Sequence, residues 1–162
     1  MKYEWRKSEK NIYLPKNKPE IIDLPKFNFF AIAGQGNPND DFFGDYIKVL
    51  YSMSYGVRMS YKAGIEPKGF FEYTVYPLEG EWNITEEAKK KGIKKFNKND
   101  LVFNLMIRQP EFVTNDFFKK LLGIMKKEKP LALLDKVKFE QIEDGKCIQM
   151  MHIGSYDDEP AS

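Results

Sequence analysis

One cysteine, Cys147, and one histidine, His152, stand in a chain of 162 residues. A single cysteine excludes an intrachain disulfide and fits a reducing compartment. A single histidine excludes any site built on several of them. The opening residues Lys2-Tyr3-Glu4-Trp5-Arg6-Lys7 carry no apolar core of a signal peptide. No run of 18 apolar residues exists, so no membrane span is expected. The cytoplasm is the expected location. A charge of one sign is also missing: 26 basic and 24 acidic residues leave +2. Duplex-binding domains have a clustered basic excess. Here Lys89 to Lys91 and Lys126-Lys127 sit at predicted helix ends, where they complement the helix dipole. No nucleic-acid partner is therefore expected. Gly34-Gln35-Gly36 lacks the third glycine of a dinucleotide fingerprint and reads as a turn. No cofactor and no metal are expected.

What the chain does have is apolar and aromatic mass. Hydrophobic residues make up 42%, and 13 Phe, 9 Tyr and 2 Trp bring the aromatic share to 15%. Such rings serve cores and ligand cages alike. Residues 1–19, with Pro15 and Pro19, read as an N-terminal arm that Trp5, Tyr13 and Leu14 could pin. Two short strands follow at 20–24 and 27–33, separated by Pro25-Lys26. Asp40 or Asp41 is placed to cap a long helix at about 42–59. Phe43, Tyr46 or Ile47, Leu50, Met53 and Val57 recur along it at helical spacing. Residues 70–78 alternate as a strand with Phe71, Tyr73 and Val75 on one face. Thr85 caps a short helix that Gly92 ends, and 101–107 is a strand. Thr114 caps a helix to about Lys127 with Phe117, Phe118, Leu121, Leu122 and Met125 in its stripe. Residues 137–142 and 147–153, around the turn 143–146, read as a hairpin.

The plan of the first strand pair partly recurs. Residues 20–34 give two strands and Gly34, then Pro38 and acids at 40 and 41. Residues 137–160 give two strands and Gly154, then acids at 157–159 and Pro160. Coincidence between two strand pairs is the competing explanation. If the repeat is real, the second copy lacks a helix and two strands. The sheet would then expose an apolar patch. On that argument the natural chain continues past Ser162, or the protein forms a homodimer.

The densest chemistry is Tyr73-Thr74-Val75-Tyr76-Pro77-Leu78-Glu79-Gly80-Glu81-Trp82. Rings beside a carboxylate can hold a cationic or polarised ligand, and desolvation would raise the acid's pKa for acid or base work. The plainer reading is a strand end with solvated Glu79 and Glu81. His152 and Cys147 each have a structural reading, as a hydrogen-bonded strand residue and a packed small side chain.

Four stretches together resemble the GyrI-like small-molecule-binding family. They are Tyr51-Ser52-Met53-Ser54-Tyr55, the 73–82 segment, Met106-Ile107-Arg108-Gln109-Pro110 and Met151-His152-Ile153-Gly154-Ser155-Tyr156. The resemblance implies an α+β fold of duplicated strand-helix-strand-strand (SHS2-like) units. The antiparallel sheet would carry its helices on one face, with the second unit incomplete. The first unit would cover about 27–110, the connecting helix about 114–128, and the start of the second about 137–162. The whole would make one GyrI-like domain over 20–162. It also implies an aromatic-lined cleft for a hydrophobic or aromatic small molecule, xenobiotic in kind. Some stand-alone bacterial relatives are similar to hydrolases that open cyclopropane rings, so an enzyme and a ligand-sequestering or sensing protein both stay open. The expected catalytic set is Glu79, Trp82 and Tyr76. The expected ligand contacts are Tyr55, Met59, Tyr73, Tyr76, His152 and Tyr156.

Overall fold

The structure is a computed structural model that describes residues 2–91, 98–128 and 130–149, with only the backbone of Ala88, Lys91, Lys98 and Ile148. It is a mixed α+β fold whose four-stranded antiparallel sheet has the order β2-β3-β1-β4. In chain order the elements are α1 (Trp5–Ser8), α2 (Lys10–Tyr13), β1 (Glu20–Gln35), α3 (Phe42–Arg58), β2 (Leu78–Ile84), α4 (Glu86–Lys91), β3 (Leu101–Gln109), α5 (Asn115–Glu128) and β4 (Lys138–Gln149).

The described residues form two compact units. The larger comprises Asn28–Phe70 and Val75–Gln141. The smaller draws on Met1–Phe27, Phe71–Thr74 and Ile142–Ser162, so far as these are described. In the smaller unit Tyr3 bridges Tyr73, and the Trp5 and Tyr13 rings lie 5.1 Å apart. Lys7 donates to Glu4, which lowers the Glu4 carboxyl and raises the Lys7 ammonium from their ordinary values.

Registers in the larger unit follow from the apolar alternation. β1 pairs with β3 from Asn28↔Gln109 to Gln35↔Val102, and β2 pairs with β3 from Leu78↔Ile107 to Ile84↔Leu101. Side chains alternate between faces along each strand. One face therefore carries Phe30, Ile32, Phe103, Leu105 and Ile107. Both long helices cover it. The Phe103 ring sits 5.2 Å from Tyr46 of α3, and Phe30 sits 5.3 Å from Phe118 of α5. Tyr46, Val49, Leu50, Met53 and Val57 form the buried stripe of α3. Beneath that helix Ser54 donates to the Leu50 carbonyl at 2.8 Å and accepts from Gln109 at 3.0 Å.

Several sequence expectations need correction. Strands 20–24 and 27–33 are one strand. Its ladder with β3 begins only at Asn28, so Pro25 removes no donor from that ladder. The strand expected at 70–78 is not one. Tyr73 makes an isolated bridge, and the strand proper begins at Leu78. The buried positions there are Tyr73 and Tyr76, three apart, which is not the strand period. The real strand, Leu-Glu-Gly-Glu-Trp-Asn-Ile, is rich in poor strand formers and so gave little signal. Residues 138–149 are one strand and not a hairpin turning at 143–146. Gly145 does adopt a left-handed φ of 64°, but the chain runs on instead of reversing. Asp41 stands at the start of α3 without a side-chain capping bond. Thr114 does cap α5, accepting from the Phe117 N–H at 3.1 Å.

Candidate small-molecule site

The outward side of α3 carries a second stripe, of aromatic and thioether groups beside Lys48. Tyr51, Ser52, Tyr55 and Met59 follow Lys48 at spacings of three, four, seven and eleven, which places them on one stripe. Their rings and thioether are only partly covered. Tyr55 is 51% exposed and Met59 43%. The Tyr51 and Tyr55 rings stack, with centroids 6.4 Å apart and planes 29° from parallel.

Helix α5 supplies the opposing wall through Leu121, Ile124, Met125 and Glu128. Gly56 sets how closely the two helices approach. A Cβ there would lie 3.1 Å from Leu121 Cδ1, tight enough that Leu121 must shift. Between the two stripes lies a groove of about 510 Å3, closed at the end of α3 by Ala63 and Ile65. That volume falls within the range of about 300–1,000 Å3 of ordinary small-molecule sites, and its largely apolar lining also fits one.

The residues expected to form one site are distributed over several places. Tyr55 and Met59 line the groove. Trp82 packs at the other end of α3, 5.8 Å from Phe43 and 5.5 Å from Phe103, on the helix-covered face of the sheet. Glu79, three residues away on β2, is opposite Met106 and points from the other face. Tyr76 is buried, with the Arg108 guanidinium carbon 4.5 Å from its ring centroid. Arg108 shares the face of Glu79 and Met106, so Glu79 and the Arg108–Tyr76 pair lie apart from the helix-covered face and its groove. Tyr73 is buried in the smaller unit beside Phe71. His152 and Tyr156 lie outside the described residues.

Sequence reasoning left Lys48, Tyr51 and Ser52 of α3, and Leu121, Ile124, Met125 and Glu128 of α5, out of the site. For those on α3 the usable signal was a second, aromatic stripe out of phase with the core stripe; those on α5 had none. Among the described residues no group of three or more His, Cys, Asp or Glu is placed to hold a metal. No described helix is long and apolar enough to cross a membrane.

Comparison with known proteins gives this geometry its context. Three solved structures from Listeria innocua share the fold over 99% of this chain and about three quarters of theirs. One is a hydrolase, at 30% identity with a TM-score of 0.86 over 75% of its own length. Another is a hydrolase encoded by lin2189, at 31% and 0.87 over 76%. The third is an uncharacterized conserved protein, at 33% and 0.84 over 76%. No protein with a curated description matches the chain. The family model of the GyrI-like small molecule binding domain matches residues 17–162. The chain therefore belongs to the GyrI-like small-molecule-binding family.

Proposed function

We propose that the protein binds a flat, apolar or aromatic small molecule of xenobiotic kind in the groove between α3 and α5. The observation that carries this reading is the half-exposed Tyr51–Tyr55 stack facing an aliphatic wall across about 510 Å3. A planar ligand lying on those rings and against Leu121 and Met125 would lose water from both of its faces. Burial of apolar area at about 25 cal/mol per Å2 makes this favourable without any change of fold. The test is titration with an acridine-type dye, followed by its own fluorescence, against wild type and Gly56→Leu. Saturable binding that the leucine abolishes supports the reading. Saturable binding that the leucine leaves intact locates the site elsewhere.

A hydrolytic reading is favoured by the two similar Listeria innocua structures named as hydrolases. In it, the protein opens a strained cyclopropane ring by adding water. Glu79 activates the water or protonates the leaving carbon, and the Tyr76 hydroxyl assists. Trp82 would stabilise developing positive charge only for a ligand on the helix-covered face, because it points away from Glu79. Mass spectrometry after incubation with a cyclopropane-bearing alkylator separates the two readings. A gain of one water that Glu79→Gln removes supports hydrolysis, and unchanged compound supports sequestration or sensing without turnover.

A further inference from the structure

The groove carries two charges of opposite sign, and neither has a partner among the described residues. Lys48 on α3 and Glu128 at the end of α5 both line it. Among the described residues, neither makes an ion pair with the other or with any third group. The Tyr51, Ser52 and Tyr55 hydroxyls in the same groove are likewise without a hydrogen-bond partner among the described residues.

Glu128 stands where the helix dipole disfavours a carboxylate. It is the last residue of α5, whose carbonyl end carries partial negative charge. Of the two lysines in the last turn, Lys126 is committed to Asp135 at 2.6 Å, and Lys127 makes no ion pair with Glu128 among the described residues. A ligand with a single charge would meet one favourable partner in the groove and one repulsive one. A ligand with both charges would meet two favourable partners.

Resting on the groove reading above, we propose that the site selects amphoteric flat molecules, with an anionic group paired to Lys48 and a cationic group paired to Glu128. The stacked tyrosines hold the apolar body, and a cationic edge also gains from their ring faces. The charges act mainly as selectors. Each is exposed and meets its partner in water, so each discriminates modestly.

Three xanthene dyes with a common core test the proposal: zwitterionic rhodamine B, its cationic ethyl ester and anionic fluorescein. Binding is followed by fluorescence anisotropy at pH 7 and low salt, with Lys48→Met and Glu128→Gln beside wild type. Wild type should prefer the zwitterion over each dye that carries charge of one sign only by about two- to fivefold, the size of one exposed ion pair. Lys48→Met should erase the preference over the ester and keep that over fluorescein. Glu128→Gln should do the reverse. Equal binding of the three dyes to wild type, or a preference that survives both substitutions, overturns the charge selection and leaves the groove reading standing. Failure of all three dyes to bind overturns the groove reading, and the selection with it.

Discussion

The two sides of α3 make the same chemical investment for different ends. Toward the sheet, Val49, Leu50, Met53 and Val57 are each 1% exposed or less, and the one polar member, Ser54, is hydrogen-bonded. Toward α5 and solvent, Tyr51, Tyr55 and Met59 present rings and a thioether that nothing covers fully. Packing explains the first stripe. It does not explain the second, because large exposed apolar groups add nothing to the stability of the fold. A helix with an apolar stripe on one side and a half-open aromatic stripe on the other is suited to a core and a binding site together.

That contrast can be broken from the inside. Leu50→Ala removes a fully buried side chain and should cost about 3 kcal/mol, within the usual range for such truncations. Denaturant unfolding would read this. The folded fraction should still bind an acridine dye with wild-type affinity. Gly34→Ala comes next. Its Cβ would lie 2.5 Å from the Phe103 ring and 2.7 Å from Tyr46, an overpacking worth about 1–3 kcal/mol. An unchanged unfolding midpoint would show that the aromatic cluster on this face is looser than these distances imply. Ser54→Ala deprives the Gln109 amide of an acceptor and should cost about 1 kcal/mol, again without effect on the groove.

From the outside the pattern reverses. Tyr55→Ala should leave the unfolding free energy within about 0.5 kcal/mol of wild type, as expected for an exposed position. Dye affinity should fall about fivefold through loss of one stacked ring, roughly 1 kcal/mol of aromatic contact. A large loss of stability with unchanged affinity would assign Tyr55 to packing and dissolve the distinction between the two sides.

The legible parts of the fold were those with one strong period. Leu50, Met53 and Val57 marked α3, and Leu101, Phe103, Leu105 and Ile107 marked β3, because each set repeats at a single spacing. β2 was illegible because Glu79, Gly80, Glu81 and Asn83 are poor strand formers, and pairing with β3 overrides them. The continuity of β4 was hidden by Gly145, whose left-handed backbone usually marks a reversal. For the site, Tyr55 and Met59 were legible as aromatic and thioether surplus on α3. Their neighbours on α5 were not, since no local pattern reveals that Gly56 lets Leu121 and Met125 come close. Proximity in sequence also misled. Glu79 and Trp82 lie three residues apart, and an odd separation along a strand puts them on opposite faces.

The central claim is that ligand enters between α3 and α5, on the outward side of α3. Methionine-methyl NMR tests it most directly, because the helix carries a reporter on each side. Met59 and Met125 line the groove, and Met53 is fully buried beneath it. On titration with an acridine dye, the Met59 and Met125 methyl resonances should shift saturably and together while Met53 stays in place. Movement of Met53 with Met59 and Met125 unmoved would contradict the account and put the ligand on the other side of the helix.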